Sequence, residues 1–189
     1  MKLKVVYFGS SLAGKSTNVK KLYEILKERG LAKGEFVSME TDEQRTLFVE
    51  MFVSSLNIEG VEMDVKIMTT PGQFRLHPLR KVIVKGVDGL VFVVDSSVER
   101  KEVNFLVMRE TAAVLKEQGH DLLHFPVVVQ YNKRDLPSAM PIDDMQMMFN
   151  PWDTDYVESV AIEGKGVLET FVKIIKNILV AKHGKSSAL

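Results

Sequence analysis

The chain has 189 residues, of which 46% are hydrophobic and 26% are charged, and its formal net charge is zero. This length and composition favour one globular domain with its own hydrophobic core. The zero net charge argues against a general attraction to nucleic acid or to anionic membranes, and the absence of cysteine excludes disulfides, thiolate chemistry and zinc ribbons.

The ends of the chain and its apolar runs predict a cytoplasmic protein with no membrane anchor of its own. The first residues lead directly into a predicted strand, which does not resemble a signal peptide. No apolar run approaches the roughly 20 residues that span a bilayer, and there is no C-terminal cysteine for lipidation. Any role at a membrane is therefore expected to require a partner.

Strands alternate with helices along the chain, which predicts an α/β fold with a mostly parallel sheet and helices on both faces. The predicted strands are Leu3–Phe8, Leu47–Leu56, Val61–Thr69, Gly89–Asp95, Phe125–Tyr131 and Tyr156–Ala161. The predicted helices are Ser16–Arg29, a short helix that ends over Val82–Gly86, then Glu99–Gln118, Pro141–Phe149 and Val167–Ala181.

The sequence also predicts the structure of two connecting segments. Asn57–Gly60 predicts a hairpin turn and hence one antiparallel strand pair. The polar stretch Gly30–Thr46 predicts a surface loop. We expect a single domain over residues 1–182 and a disordered C-terminal tail over residues 183–189.

Residues 9–16 have the sequence G-S-S-L-A-G-K-S, the pattern of a phosphate-binding P-loop between a predicted strand and helix. Its glycines permit a loop whose N–H groups turn inward, and the helix start adds its positive dipole end. The pattern predicts that Lys15 reaches the β- and γ-phosphates and that Ser16 ligates Mg²⁺. The predicted phosphate-binding residues here are Gly9, Leu12, Ala13, Gly14, Lys15, Ser16 and Thr17. A glycine-rich turn that binds nothing is the alternative, and the flanking elements argue against it.

The segment Asn132-Lys133-Arg134-Asp135 follows a buried strand and predicts a guanine site. The Asp135 carboxylate can accept two hydrogen bonds from the N–H edge of guanine, and adenine has no matching pair of donors. Asn132 is expected to brace neighbouring loops and contact the base, and the stem of Lys133 to pack over the ring. One strand later, the backbone N–H of Ala161, next to Ile162, could meet the guanine carbonyl oxygen. The alternative is a charged turn that ends the strand.

Together these features resemble a small Ras-like GTPase, from Leu3 to about Ala181. The closer resemblance is to the prokaryotic MglA type, the GTPases that set cell polarity in gliding and twitching bacteria. It rests on Gly34–Ser38, Glu43–Phe48, Thr70–Gln73, Gly86–Gly89, Asn132–Pro137 and Glu163–Gly166. The resemblance implies a P-loop NTPase with a Ras-like G domain that binds GTP or GDP with Mg²⁺ and acts as a switch toward effectors.

The same resemblance implies the hydrolytic residues. Gln73 takes the position of the water-orienting glutamine, and Gly72 offers its N–H to the γ-phosphate. Thr46 takes the position of a second Mg²⁺ ligand, and Arg45 that of an arginine finger supplied in cis. Gln73, Arg45 and Lys15 form the predicted catalytic set, although Arg45 alone could be a surface charge and Gln73 a helix-capping residue.

Thr69 stands where Ras-like proteins have the first aspartate of the D-x-x-G motif, and MglA-type proteins share this threonine. The exchange removes one anion from the metal shell, and Mg²⁺ needs carboxylate support. We expect Glu50 or Asp95 to compensate in part.

The resemblance also implies a GTPase-activating partner, the Roadblock/LC7-type homodimer MglB, which is thought to reposition the switch residues without inserting its own arginine. It further implies a register shift of the strand Leu47–Leu56 between nucleotide states. Two other interpretations remain: a GTP-binding scaffold with negligible turnover, and an ATP-dependent P-loop kinase. The guanine segment and the lack of an arginine-rich lid argue against the kinase.

Overall fold

The computed structural model describes residues 1–39, 49–71, 77–121 and 123–186. Within these ranges, the strands are β1 (Lys2–Phe8), β2 (Ala32–Met39), β3 (Val49–Ile58), β4 (Val61–Thr69), β5 (Gly89–Asp95), β6 (Val127–Asn132) and β7 (Tyr156–Glu158). The helices are α1 (Lys15–Glu28), α2 (His77–Val84), α3 (Lys101–Glu117), α4 (Ile142–Phe149) and α5 (Val167–Ser186). Short 3₁₀ segments cover Val98–Arg100 and Ala161–Glu163.

The strands form one sheet in the order β2-β3-β4-β1-β5-β6-β7. The pairings from β4 through β1 to β7 are parallel, as expected, whereas β3 runs antiparallel to both of its neighbours. The predicted hairpin joins β3 to β4 through Glu59 and Gly60, with φ of 52° and 83°. Two successive positive φ values are the requirement of a type I′ turn, whose twist matches that of the paired strands.

The sheet separates two hydrophobic clusters, because successive side chains of a strand point to opposite faces. In β1, Val5 and Tyr7 pack in a cluster with Leu22 of α1 and Ile174 of α5. The alternate residues of β1 pack on the other face, in a cluster with residues of α2 and α3 that comprises Val6, Phe8, Val84 and Val107 among others. The expected helices on both faces are therefore confirmed.

The edge strand β2 corrects the prediction of a loop over Gly30–Thr46. Residues 32–39 pair with β3, although most of them are exposed. The register shifts between Lys33 and Val37, where Gly34 has a φ of 77°. Because neither face of β2 is consistently buried, the sequence has no apolar alternation to indicate a strand, and the pairing depends on the backbone that β3 presents. Residues 40–48 lie outside the described ranges.

Helix α5 continues beyond its predicted end at Ala181, as far as Ser186. Residues 183–186 are therefore helical and do not belong to the predicted tail, while residues 187–189 lie outside the described ranges. The Lys182 ammonium lies 2.8 Å from Oδ1 of Asp88, which fastens this last part of α5 to the start of β5. None of the described helices is both long enough and apolar enough to cross a membrane.

The β3–β4 turn leads to a stability prediction. Glu59 has a side chain that disfavours the left-handed conformation, whereas asparagine tolerates it. We expect Glu59→Asn to raise the free energy of unfolding by about 0.5–1 kcal/mol in urea titrations. The matched control is Glu62→Asn, at an exposed site on β4 without a positive φ, and it should not stabilise the protein. An unchanged or lower stability of Glu59→Asn would contradict the assignment of the turn.

Candidate nucleotide-binding site

The predicted motifs meet at one edge of the sheet. The parallel strands β1, β4, β5 and β6 end there, next to Gly9, at Thr69, at Asp95 and at Asn132, respectively. In sheets of this kind ligands bind outside the carboxyl ends of the strands. The fold therefore brings together segments that are more than 100 residues apart in the sequence.

The P-loop turns closely against this edge, and neither of its two glycines has room for a side chain. A Cβ on Gly9 would lie 2.3 Å from the carbonyl oxygen of Val93 in β5. Gly14 has a φ of 103°, and its Cβ would lie 2.2 Å from Nδ2 of Asn132. Helix α1 begins directly after Gly14, so its first backbone N–H groups lie at the end of the loop. This is the strand-loop-helix arrangement that the pattern predicts.

Lys15 is buried within this loop. Its ammonium donates to the carbonyl oxygens of Gly9 at 2.9 Å and Ser10 at 2.7 Å. Burial, reinforced by the positive charge of Arg80, lowers the pKa of Lys15 to about 7, and the Glu50 carboxylate opposes this shift. A polyphosphate next to the ammonium would favour its charged form.

Asn132 braces two loops through both ends of its side-chain amide, as predicted. Its Nδ2 donates to the carbonyl oxygen of Ala13 at 3.0 Å. Its Oδ1 accepts from the Ser159 hydroxyl at 3.0 Å and from the Ala161 N–H at 2.9 Å. The Ala161 N–H that the sequence assigns to guanine is thus already engaged, and a guanine carbonyl oxygen would have to share it with Asn132.

The remaining residues of the guanine segment differ in their surroundings. Lys133 has a φ of 65°, and its ammonium lies 2.8 Å from Oδ2 of the buried Asp95. Oδ1 of Asp95 accepts the Ser97 N–H at 3.0 Å, so both oxygens of this carboxylate already have a protein partner. Asp135 and Ile162 are exposed at the same edge.

Glu50 lies beside the threonine that replaces the D-x-x-G aspartate. The antiparallel register that pairs Met51 with Met68 places Glu50 opposite Thr69, and the Glu50 N–H donates to the Thr69 hydroxyl at 2.9 Å. Oε2 of Glu50 is buried and has no hydrogen-bond partner in the described part of the chain. An unpaired buried carboxylate oxygen is costly, which favours a ligand at this position.

The sequence did not single out a set of buried polar residues behind the site. Gln130 exchanges hydrogen bonds with Asn18 at 2.7 and 2.8 Å and donates to the Thr170 hydroxyl at 2.8 Å. Asn18 also donates to the carbonyl oxygen of Gly14. This network ties α1, β6 and α5 together. The one indication of this network in the sequence is a glutamine within the apolar run of β6. Its partners could not be predicted because they are distant in the sequence.

Four predicted residues, Arg45, Thr46, Gly72 and Gln73, lie outside the described ranges. Three of the described residues that flank their segments, Met39, Val49 and Pro71, lie close to Glu50 or Thr69. Met39 pairs with Val49, next to Glu50. Pro71 is buried two residues after Thr69.

Comparison with known proteins agrees with this geometry. Residues 4–180 match the Ras family. The chain belongs to the Ras family of small GTPases. Mutual gliding-motility protein MglA of Myxococcus xanthus is 40% identical over 177 residues, which cover 93% of this chain and 90% of that protein. Human ADP-ribosylation factor-like protein 4C is 31% identical over 115 residues, 57% of each chain.

The bracing role of Asn132 in this Ras-family chain can be tested by stability. Asn132→Ala would leave the Ala13 carbonyl and the Ala161 N–H without their partner, which should cost about 1–3 kcal/mol. The control Asp135→Ala, at an exposed position, should change the free energy of unfolding by less than about 0.5 kcal/mol. Denaturant titration of the nucleotide-free proteins measures both, and equal stabilities of the two variants would rule out the brace.

Proposed function

We propose that this chain is a Mg²⁺-dependent molecular switch that binds and hydrolyses GTP and contacts effectors in its GTP form. The observation that carries the proposal is the contact between Asn132 and Ala13, which joins the guanine segment to the P-loop at one edge. A phosphate cradle and a base site that are coupled by a hydrogen bond can hold the two ends of one nucleotide.

Guanine recognition is assigned to the exposed Asp135 carboxylate, together with Asn132, Lys133 and the backbone of Ala161 and Ile162. The left-handed φ of Lys133 and its ion pair with Asp95 fix the course of the chain just before Asp135. A carboxylate that accepts hydrogen bonds from guanine has no donors to pair with when adenine is bound. The cost of this unpaired group discriminates strongly against adenine.

Phosphate binding is assigned to the P-loop N–H groups, to Lys15 and to the first turn of α1, including Ser16 and Thr17. The buried ammonium of Lys15 lies against two loop carbonyls, where it can reach an anion in the cradle without exposure to solvent. The start of α1 adds unpaired N–H groups and a positive dipole end.

The residues present fit a magnesium ion next to the phosphates. Ser16 and Thr46 would supply hydroxyl ligands. The buried Oε2 of Glu50, which has no hydrogen-bond partner among the described residues, would supply the negative charge that Thr69 does not. When bound, Mg²⁺ neutralises charge on the β- and γ-phosphates. The charge of the Glu50 carboxylate also opposes the lowering of the Lys15 pKa, which supports a position close to the phosphates.

Hydrolysis is assigned to Gln73 as the residue that orients water, to Gly72 through its N–H, and to Arg45 as an arginine supplied in cis. These roles are supported by the resemblance to MglA-type GTPases and by the position of the flanking strands at the site edge. An arginine that stabilises the transition state of phosphoryl transfer can contribute roughly 10³- to 10⁵-fold in rate.

We further propose a cytoplasmic role in cell polarity or motility. The support is the likeness to a protein that is named for mutual gliding motility, which extends over 93% of the chain. The same likeness supports a Roadblock/LC7-type, MglB-like homodimer as the activating partner and the binding of effectors by the GTP form.

Single-turnover hydrolysis tests the switch. We expect slow GTP cleavage by the protein alone and strong stimulation by a Roadblock-type homodimer from the same genome. Gln73→Ala and Arg45→Ala should lower the hydrolysis rate at least about 10²-fold because they act on the transition state, while the affinity for GTP changes little.

Two outcomes would contradict the hydrolytic assignment. Equal losses of affinity and rate in both variants would show that the residues act in binding alone. Tight GTP binding without turnover, with or without the partner, would instead favour a nucleotide-dependent scaffold, which the threonine at position 69 leaves open.

The metal assignment can be tested separately. Glu50→Gln keeps the size of the side chain and removes its charge, so we expect release of GDP to require about tenfold more Mg²⁺ for half-maximal slowing. The matched control is Glu62→Gln, at an exposed position on β4. An unchanged Mg²⁺ dependence of Glu50→Gln would exclude Glu50 from the metal shell.

A further inference from the structure

The apex of the P-loop contains a backbone conformation that its residue disfavours. The Ala13 N–H donates to the Ser10 carbonyl oxygen at 3.2 Å, which closes a four-residue turn. Leu12, the third residue of this turn, has a φ of 65°, whereas the φ of Ser11, the second residue, is not positive. This is the pattern of a type II turn, in which glycine is strongly preferred at the third position. Leucine in this conformation is strained.

Arg100 holds this apex from another part of the chain. Its Nη2 donates to the Ser11 carbonyl oxygen at 2.6 Å, although the two residues are 89 positions apart. Arg100 immediately precedes α3 and is half-buried. One turn further, Asn104 accepts a hydrogen bond from the Ser10 hydroxyl at 3.1 Å and donates to the Asp95 carbonyl oxygen at 2.8 Å. The start of α3 thus contacts two successive P-loop residues.

The hydrogen bond from Arg100 acts on the one peptide group that could relieve the strain. Type I and type II turns differ by a flip of their central peptide, here the group between Ser11 and Leu12. A flip would bring Leu12 to a negative φ, and would reverse both the Ser11 carbonyl and the Leu12 N–H. Because the carbonyl and the N–H of a trans peptide point in opposite directions, fixing the Ser11 carbonyl toward Arg100 directs the Leu12 N–H away from α3.

We propose that Arg100 is a positioning residue that locks the Ser11–Leu12 peptide in the orientation in which the Leu12 N–H faces the bound phosphates. The inference rests on the proposed function, because it needs a nucleotide in the P-loop. Arg100 acts through the backbone of Leu12, and its guanidinium is not required to touch the nucleotide. The charge of Arg100 also reaches the loop, since it contributes to the lowered pKa of Lys15.

The test is a double-mutant cycle between Arg100→Met and Leu12→Gly, with release of a fluorescent GDP analogue as the readout. Arg100→Met removes the donor and the charge but keeps most of the apolar stem, and we expect about tenfold faster release. Glycine at position 12 adopts the positive φ without strain, so the peptide orientation depends less on the hydrogen bond from Arg100. In the Leu12→Gly background, the additional effect of Arg100→Met should shrink to about threefold or less. Arg29→Met, at an exposed arginine after α1, is the matched control and should release the analogue at the wild-type rate.

The outcomes separate this inference from the proposed function. Failure of the wild-type chain to bind the GDP analogue would overturn the proposed function itself. Binding by the wild type with an unchanged release rate in Arg100→Met would overturn only the role of Arg100. Equal effects of Arg100→Met in both backgrounds would show that Arg100 acts by its charge or through general stability, not through the Leu12 peptide.

Discussion

The site depends on the side-chain amide of Asn132, which holds three segments at one edge of the sheet. It joins the end of β6 to the P-loop through Ala13 and to the segment after β7 through Ser159 and Ala161. Because Asn132 is 97% shielded from solvent, these bonds are made where unpaired polar groups are costly. The absence of a Cβ on Gly14 is what lets the amide approach the loop. The guanine segment and the P-loop are therefore joined in one hydrogen-bonded unit.

Around this unit, longer-range contacts support the P-loop, in which Leu12 has a positive φ. Arg100 and Asn104 contact it from the start of α3, and Asn18 connects it through Gln130 to α5. Lys15 closes the loop from within by binding two of its carbonyls. Such preorganisation reduces the cost of ordering the loop when a nucleotide binds. At the end of β4, Thr69 has no carboxylate, and Glu50 on the neighbouring strand β3 supplies one beside it.

Most of the fold and the two nucleotide motifs could be predicted because their signals are local. The buried strand β5 is a continuous apolar run, and the P-loop and guanine segments carry fixed spacings within eight and four residues. Strand β2 was missed because it is exposed on both faces and is stabilised mainly by pairing with β3. Arg100 was missed because its partner, Ser11, is 89 residues away and no local pattern marks the contact. The position of Glu50 opposite Thr69 and the ion pair of Asp95 with Lys133 could not be predicted either, because only the folded chain shows the antiparallel register and this contact.

The most direct test of a coupled guanine and phosphate site is competition between nucleotides for the purified protein in the presence of Mg²⁺. A fluorescent GDP analogue would be displaced in turn by GDP, GTP, ADP and ATP. The account predicts that the guanine nucleotides displace it at concentrations at least about 10³-fold below those needed for the adenine nucleotides, because adenine leaves the carboxylate of Asp135 unpaired. Displacement by ATP and ADP at similar concentrations would contradict the guanine assignment and would point to an ATP-dependent P-loop enzyme.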